Sequence, residues 1–192
     1  MRVLLGITGS VATVLTAKLI MELINAGHEV KVVATNPALY FLEEDTLDLE
    51  SFTINLTDQK VELYIDKFEW PAGGYHKHAP VRHIEFKDWA DILLIAPLSA
   101  NTLAKMANGL ADNFLSCIVR AWPLNKPLVI APAMNTDMYN NPITSQHLKA
   151  LHVRYEKFTI VQPVEKMLAC GYVGVGGMAD IKDIVSKIPI IE

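Results

Sequence analysis

Apolar and polar residues alternate along the chain in blocks that predict strands and helices in turn. The first apolar run predicts a strand, a turn-rich segment follows it, and the next apolar residues recur at helical spacing until a glycine. A second β-branched run and an Asn-Pro helix start repeat this order, which predicts a parallel crossover unit. These elements are strand Arg2 to Ile7, turn Gly6 to Ser10, helix Val11 to Ala26, strand Glu29 to Thr35 and a short helix from Asn36 to Phe41.

Two further runs are apolar throughout, and each leads into a polar loop followed by a helical pattern. Strands that helices cover on both faces have no solvent-facing side, so they read as continuous apolar runs. The chain is therefore predicted to be an α/β protein with a parallel sheet covered on both faces. The runs are Ile92 to Pro97 and Pro127 to Pro132, followed by helices Asn101 to Gly109 and Thr144 to Leu151, a last strand Lys157 to Val161 and a last helix Ile181 to Lys187.

Two stretches break this alternation and are predicted to be irregular. They are residues 68–81, with the run WPAGGYHKHAP, and the glycine-rich residues 163–178. Long irregular segments inside a domain are typically lids or binding loops. Because no internal repeat and no Pro/Ser-rich linker divides the chain, residues 1–192 are predicted to form one domain.

Composition and charge narrow the classes of function. The 192 residues are 51% hydrophobic and 20% charged, as in an ordinary globular domain and unlike a disordered chain. Seventeen Lys and Arg against 21 Asp and Glu give a formal net charge of -4, which argues against broad binding to nucleic acid or to an anionic membrane. We expect a cytoplasmic protein without a membrane span, since the start reads as a strand, no run of about 18 apolar residues occurs, and two distant cysteines form no disulfide framework.

The loops at the carboxyl ends of the strands carry the functional argument, because ligands of an open parallel sheet bind there. The first loop, residues 6–10 (GITGS), opens a helix and can present N–H groups and hydroxyls to a phosphate. It lacks the G-x-G-x-x-G spacing, and the second strand ends in Ala34-Thr35-Asn36 without the acid that would bind a ribose. Both features argue against NAD(P), and a tight turn with a serine cap is the alternative interpretation of this loop.

The third loop places three hydrogen-bonding side chains at a helix start, where capping alone would use one. With one side chain from each of the first two loops they form a ring of neutral donors, suited to a phosphate monoester such as that of FMN. The fourth loop, residues 131–138, adds an asparagine and two methionines, a set that a plain turn does not require. The ring comprises Ser10, Thr35, Ser99, Asn101 and Thr102.

Five runs of sequence, in order along nearly the whole chain, resemble the flavin-containing cysteine decarboxylases. They are GITGSVA near the start, RHIEFKDWAD at 82–91, APLSANTLAKMANG at 96–109, APAMNTDM at 131–138 and LACGYVGVGGMA at 168–179. Each run alone is short, but the combination is specific. The resemblance implies a Rossmann-like (flavodoxin-like) domain that binds FMN and assembles as a homotrimer with the flavin at subunit interfaces.

The resemblance also implies roles for individual residues. His83 matches the active-site histidine of the family, Asn135 the asparagine that binds the substrate carboxylate, and Cys170 the cysteine that protonates the product. Two larger sets follow from the same match. The substrate set is Asn135, Met138 of the PAMNxxM motif, Met167, Leu168 and Ala169, and the FMN set is Gly9, Ser10, Val11, Thr35, Ser99, Ala100, Asn101, Thr102 and Ala133.

Within the family the match is closest to the members that act on 4′-phosphopantothenoyl-L-cysteine in coenzyme A biosynthesis. The reaction implied is flavin oxidation of the cysteine end to a thioaldehyde, loss of CO2 to give an enethiol, and reduction of the enethiol to 4′-phosphopantetheine. The oxidation supplies the electron sink that the departing CO2 requires. Cys170 then supplies a proton, and the related peptide decarboxylases that stop at the enethiol lack this cysteine.

Three alternatives are open at this point. A flavin prenyltransferase shares the GxTG-type opening, but it does not require His83, the PAMN motif and Cys170 together. An FMN-binding regulatory subunit of a protein phosphatase is the second, although such relatives usually add long acidic tails and this chain closes with KIPIIE. An inactive FMN-binding trimer is the third, and only turnover distinguishes it.

Some residues depart from the family pattern or carry no assigned role. Tyr172 follows Gly171 where many members have Asp, and the candidates for a basic partner of the substrate phosphate are Lys166 and Arg82. Cys117, in an apolar run, is expected to be a small buried core residue.

The histidines near the middle of the chain are the remaining candidate ligands. His76, His78 and His83 have no cysteine nearby, and loop histidines are commonly solvated, so we expect no metal site. Apart from the resemblance, His83 would simply start a strand.

Overall fold

The computed structural model describes residues 1–42, 46–48, 50–57, 59–74, 76–167, 171 and 173–189. Its strands are β1 (Arg2–Ile7), β2 (Glu29–Ala34), β3 (Leu47–Asp48), β4 (Thr53–Asn55), β5 (Lys60–Tyr64), β6 (Ile92–Leu98), β7 (Leu128–Pro132), β8 (Phe158–Ile160), β9 (Val164–Met167) and β10 (Val173–Gly177). Its helices are α1 (Thr16–Asn25), α2 (Asn36–Leu39), α3 (Asp66–Glu69), α4 (Arg82–Trp89), α5 (Ala100–Asn108), α6 (Phe114–Ala121), α7 (Thr136–Asn140), α8 (Pro142–Arg154) and α9 (Ile181–Ser186).

Eight strands form one sheet in the order β3-β4-β5-β2-β1-β6-β7-β8, and β9 and β10 form a separate antiparallel hairpin. The six strands from β5 to β8 in this order are parallel, while β3 and β4 extend the sheet as an antiparallel edge. This is the strand order of a doubly wound Rossmann-type sheet, and its switch point lies between β1 and β6. The predicted α/β class with a parallel Rossmann-like sheet is confirmed.

Alternate residues of the central strands pack into two cores, one on each face of the sheet. Val3 and Leu5 of β1 are fully buried in the core that α1 and α9 cover, whereas Leu4 is buried in the core that α5, α6 and α8 cover. All seven residues of β6 are buried. Burial on both faces explains why these strands appear in the sequence as unbroken apolar runs.

The helix predicted from Val11 to Ala26 is divided into a 3-10 segment, Val11–Leu15, and α1. The hydroxyl of Thr13 donates to the carbonyl of Thr8 at 2.8 Å, and the hydroxyl of Thr16 donates to the carbonyl of Thr13 at 2.7 Å. Such side-chain bonds to the backbone compete with regular helix geometry, which accounts for the tighter first turns. The short helix that begins at Asn36 ends at Leu39.

Several elements differ from the prediction or were absent from it. Residues 163–178 contain the β9–β10 hairpin and are not simply irregular, and His83 lies in the first turn of α4 and does not start a strand. The strands β3 to β5 and the helices α3, α4, α6 and α7 were not predicted from the sequence. In the described part of the chain no helix has both the length and the apolarity to cross a bilayer, and α8, with 13 residues, is the longest.

Candidate active site

A cleft of about 600 Å³ opens beyond the carboxyl ends of the parallel strands, next to the switch point between β1 and β6. The loops that follow β1, β2, β6 and β7 form most of its lining, and the β9–β10 hairpin contributes one wall. A cleft of this size accommodates a cofactor. All the residues predicted to hold FMN line it, namely Gly9, Ser10, Val11, Thr35, Ser99, Ala100, Asn101, Thr102 and Ala133.

Four helical segments begin at this cleft, each directly after a parallel strand. Ser10 and Ser99 cap two of them, because their hydroxyls accept from the backbone N–H groups of Ala12 and Thr102 at 3.4 and 3.3 Å. The uncapped N–H groups and the positive ends of the helix dipoles favour an anion here. These N–H groups and helix dipoles can therefore bind a phosphate group without the help of an arginine side chain.

Two close approaches hold the first three loops in their relative positions. The hydroxyl of the fully buried Thr8 donates to the carbonyl of Pro97 at 2.8 Å and accepts from the backbone N–H of Ser99 at 2.7 Å. Gly9 lies against Pro37, since a Cβ at Gly9 would be 2.7 Å from the Cβ of Pro37. The loop after β1 is thus tied to the loop after β6 and packed against the loop after β2.

The hydroxyl of Thr35 is the polar atom of this cleft that most clearly requires a ligand. It is buried, and among the described residues it has no hydrogen-bond partner. Thr35 precedes α2 but does not cap it with its side chain. Because buried polar groups in native proteins are nearly always paired, this hydroxyl indicates a bound group that completes its hydrogen bonding.

The remaining wall of the cleft is apolar and partly open to solvent. Val11, Val14, Met138 and Met167 line it with exposed fractions of 47%, 45%, 49% and 65%. Phe41 contributes an aromatic ring to the same lining. An exposed apolar rim of this kind indicates a surface that a flat ligand or another chain covers.

The β9–β10 hairpin is docked on the loop that carries Asn135. The backbone N–H of Met134 donates to the carbonyl of Gly176 at 2.9 Å. Gly176 has a φ of +141°, and a Cβ there would overlap the carbonyl oxygen of Met134; a Cβ at Gly174 would overlap the hydroxyl of Thr136. The glycines of β10 therefore permit the close approach that places the hairpin along the cleft.

Asn135 lines the cleft at the start of α7, and its side chain is held in place from within its own turn. Its Oδ1 accepts from the backbone N–H of Asp137 at 2.8 Å. Met138 and Met167 of the predicted substrate set also line the cleft. Leu168, Ala169 and Cys170 lie outside the described residues, as does Tyr172.

His83 is the predicted site residue that the structure does not place in this cleft. It lies near the start of α4, and the carboxylate of Glu69 holds both its ring nitrogen Nδ1 and its backbone N–H. Glu69 was not predicted as a site residue, because it lies in the segment 68–81 that was predicted to be irregular. No pattern in the sequence connects Glu69 to His83.

The two candidates for a phosphate-binding base differ in position. Lys166 lines the cleft, and its ammonium group donates to the carbonyl of Met178 at 3.0 Å. Arg82 lies on α4 and forms an ion pair with Glu85 at 2.9 Å. Lys105, also in the lining, is paired with Asp112 at 2.7 Å.

Cys117 is not a fully buried core residue as predicted, but half-buried on α6. Partial burial and the nearby carboxylates of Glu69, Asp112 and Asp66 raise the pKa of its thiol to about 11. The thiol is therefore protonated at neutral pH and a poor nucleophile. Over the part of the chain that the structure describes, no three His, Cys, Asp or Glu side chains are arranged to hold a metal ion.

A family model described as Flavoprotein matches residues 1–190. The chain belongs to the flavoprotein family. The resemblance to flavin-containing cysteine decarboxylases is confirmed by relatives of this family that match along nearly the whole chain.

Two such relatives are named phosphopantothenoylcysteine decarboxylase. The protein from Arabidopsis thaliana is 45% identical over 188 residues, which cover 97% of this chain and 83% of its own length. The protein from Mus musculus is 41% identical over 191 residues, with 99% and 86% covered. A protein of Schizosaccharomyces pombe named probable thymidylate synthase is 43% identical over 187 residues, but this flavoprotein chain spans only 28% of its length.

Solved flavoprotein structures agree with this assignment. A PPC decarboxylase mutant complexed with pantothenoylaminoethenethiol is 45% identical and has a TM-score of 0.83, covering 96% of this chain and 94% of its own. The structure described as the FMN binding protein AtHal3 is 46% identical, with a TM-score of 0.79 and with 96% and 92% covered.

Proposed function

We propose that this chain is an FMN-dependent decarboxylase that converts 4′-phosphopantothenoyl-L-cysteine to 4′-phosphopantetheine in coenzyme A biosynthesis. The observation that carries the proposal is the single cleft that all nine residues of the predicted FMN set line together with Asn135. The names of the relatives from Arabidopsis and mouse support the substrate, and the AtHal3 structure supports the cofactor.

The residues of the cleft fit FMN. Ser10, Ser99 and the N–H groups of the helix starts would hold the phosphate, the unpartnered hydroxyl of Thr35 would gain a partner, and the apolar wall would contact the ring system. FMN, when bound, supplies the oxidation that creates an electron sink for the departing CO2 and the reduction that completes the reaction.

Asn135 binds the carboxylate of the substrate in this proposal. An amide donates hydrogen bonds without a proton to give away, so the carboxylate stays ionised, and only the ionised form loses CO2. The bond from Asp137 N–H to Oδ1 fixes the orientation of the side chain in the cleft. Cys170 is the proposed proton donor to the product and belongs with Leu168 and Ala169 to the proposed flap.

Lys166 is the proposed partner of the substrate phosphate. Lys166 lines both the main cleft and an adjoining cavity of about 490 Å³. A substrate that extends from the cleft into this cavity therefore passes Lys166. Arg82 is already paired and lies away from both cavities. Lys166→Met should therefore raise KM for the phosphorylated substrate and leave KM for its unphosphorylated analogue unchanged.

We further propose a homotrimer in which His83 acts at the cleft of a neighbouring copy. His83 does not line the cleft of its own chain, and its helix start exposes Val81 by 48% and Ile84 by 36%. The rim of the cleft is also apolar and exposed, and two such surfaces of one chain can cover each other in a closed oligomer. A reducing cytoplasmic location is proposed because the sequence has only two cysteines, which lie far apart along the chain.

Anaerobic turnover of synthetic 4′-phosphopantothenoyl-L-cysteine by the flavin-loaded protein tests the function. Mass spectrometry should show loss of one CO2 with the wild type, and with Cys170→Ser a product lighter by one hydrogen molecule should accumulate. Flavin binding without any loss of CO2 would overturn the decarboxylase and favour a regulatory role. Full reduction of the product by Cys170→Ser would remove Cys170 from the proton-donor role.

A further inference from the structure

One carboxylate holds the imidazole of His83 and the backbone beside it. Oε1 of Glu69 lies 2.5 Å from the ring Nδ1 of His83, and Oε2 accepts from the backbone N–H of the same residue at 2.9 Å. The side chain of Glu69 is only 8% exposed, whereas that of His83 is 24% exposed. The buried carboxylate thus contacts the Nδ1 side of a ring that is itself partly exposed.

The position of Glu69 is itself fixed. Helix α3, which Glu69 ends, packs against both α4 and α6. Asp66 at its start accepts from the backbone N–H of Phe114 at 2.9 Å, which ties it to the first turn of α6. The backbone that carries the carboxylate is therefore held in place relative to α4 and α6.

The chemistry of the pair determines the proton on the ring. An ionised carboxylate only accepts hydrogen bonds, so Nδ1 of His83 must carry the hydrogen that it donates to Glu69. In the neutral ring the remaining nitrogen, Nε2, then carries the lone pair. His83 is thereby held with Nε2 available to accept a proton.

We propose that Glu69 is the positioning residue of His83, which fixes the tautomer and the direction in which the imidazole meets the reacting groups. This inference rests on the proposed function, in which His83 acts at the flavin site. Without the carboxylate, a partly exposed imidazole populates both tautomers and several rotamers, and only a fraction of them is productive.

Glu69→Gln separates positioning from a merely structural role. The glutamine oxygen can still accept from the backbone N–H of His83, so the contact with the start of α4 is kept. Its NH2 group then faces Nδ1 and donates to it, which moves the ring hydrogen to Nε2. We expect kcat to fall by about 10- to 100-fold while KM, the melting temperature and the flavin content remain at wild-type values.

The measurement combines steady-state kinetics of the FMN-loaded oligomer with ¹⁵N NMR of its histidine side chains, assigned by the loss of signals in His83→Asn. The wild type should show hydrogen on Nδ1, and Glu69→Gln should show it on Nε2. Glu85→Gln is the matched control. Glu85 lies on α4, the helix of His83, and its half-exposed carboxylate pairs with Arg82. This variant should leave both the tautomer and kcat unchanged.

Two results would overturn the inference. One is wild-type kcat in Glu69→Gln despite a changed tautomer, and the other is an unchanged tautomer with losses of stability and flavin, as expected of a purely structural residue. Failure of the proposed function gives a different pattern. In that case the wild type does not release CO2, or His83→Asn turns over normally, while the NMR still reports hydrogen on Nδ1.

Discussion

Buried hydroxyl groups of this chain differ in whether the protein itself satisfies them. The hydroxyl of Ser99 caps a helix, and that of Thr16 donates to the carbonyl of Thr13, but the hydroxyl of Thr35 has no partner among the described residues. An unsatisfied buried group costs about 1–3 kcal/mol of stability, which a ligand recovers by pairing with it. Flavin binding and the stability of the flavin-free protein therefore depend on Thr35 in opposite directions.

Thr35→Val removes the hydroxyl and keeps the shape of the side chain. We expect the flavin-free protein to be at least as stable as the wild type, while the Kd for FMN rises by about 10-fold. Thermal unfolding and quenching of flavin fluorescence measure the two quantities. Thr16→Val is the control, since it removes a satisfied hydroxyl outside the cleft and should lower stability without affecting FMN. An unchanged Kd in Thr35→Val would show that FMN does not use this hydroxyl.

His28 makes the stability of the protein depend on pH. It is 5% exposed, and its Nε2 has no partner within the described part of the chain. Burial lowers the pKa of His28 below its ordinary value of 6.5. The unfolded chain therefore takes up a proton that the folded chain rejects, so the contribution of this residue is fully present above pH 6.5 and is lost as the pH falls below that value.

We expect His28→Gln to flatten this dependence. The urea midpoint of the wild type should fall between about pH 7.5 and pH 5.5, and the fall should be smaller in the variant because the titrating group is absent. His152→Gln, at an exposed position on α8, should retain the wild-type slope. Equal slopes in wild type and His28→Gln would assign the acid sensitivity to other groups.

At the level of elements, the docking of the hairpin on the Asn135 loop depends on Gly176. Gly176→Ala should displace β10 from Met134 and raise KM for the substrate by about 10-fold or more, because the added Cβ overlaps the carbonyl oxygen. Gly27→Ala is the matched control, since Gly27 also has a positive φ, of +83°, but no atom lies within 4 Å of the added Cβ. It should cost about 1 kcal/mol of stability with no change in KM. Wild-type KM in Gly176→Ala would contradict the role of the hairpin.

The elements that sequence could predict are those with one dominant pattern. β6 and β7 are buried over their whole length and β1 from its second residue on, so each appears as an apolar run, whereas β2 is buried only in its last three residues. The loops after these strands supplied Ser10, Thr35, Ser99, Asn101 and Thr102 of the FMN set, and its other members followed from the family resemblance. β10 was not predicted because its glycines weaken a strand pattern. The same glycines allow β10 to pack closely against the loop that carries Asn135. Glu69 could not be predicted, since its contact with His83 spans 14 residues and depends on how α3 packs.

At the scale of the whole molecule, an active site shared between copies can be tested by mixing variants. In a random equal mixture of His83→Asn and Asn135→Asp chains, about one quarter of the shared sites receive both wild-type residues. Activity should therefore return to about one quarter of wild type, whereas a site within one chain gives none. Asp is chosen because it still caps α7 and repels the substrate carboxylate.

The size of the assembly is measured separately by light scattering of the flavin-loaded protein. We expect a mass close to three times the 21.3 kDa of one chain. A monomeric mass together with full activity would exclude the shared site. A dimeric mass would exclude the trimer but would still allow an active site that is shared between two copies.

The helix starts around the cleft affect which substitutions the site tolerates during evolution. Their N–H groups belong to the main chain, and every amino acid except proline carries one. Substitutions in these loops can therefore accumulate without erasing recognition of a phosphate, provided that the course of the loops is kept. That course depends on a few contacts, such as those of Thr8 with Pro97 and Ser99. During evolution we therefore expect the course of the backbone at this site to be retained longer than the amino-acid sequence of its loops.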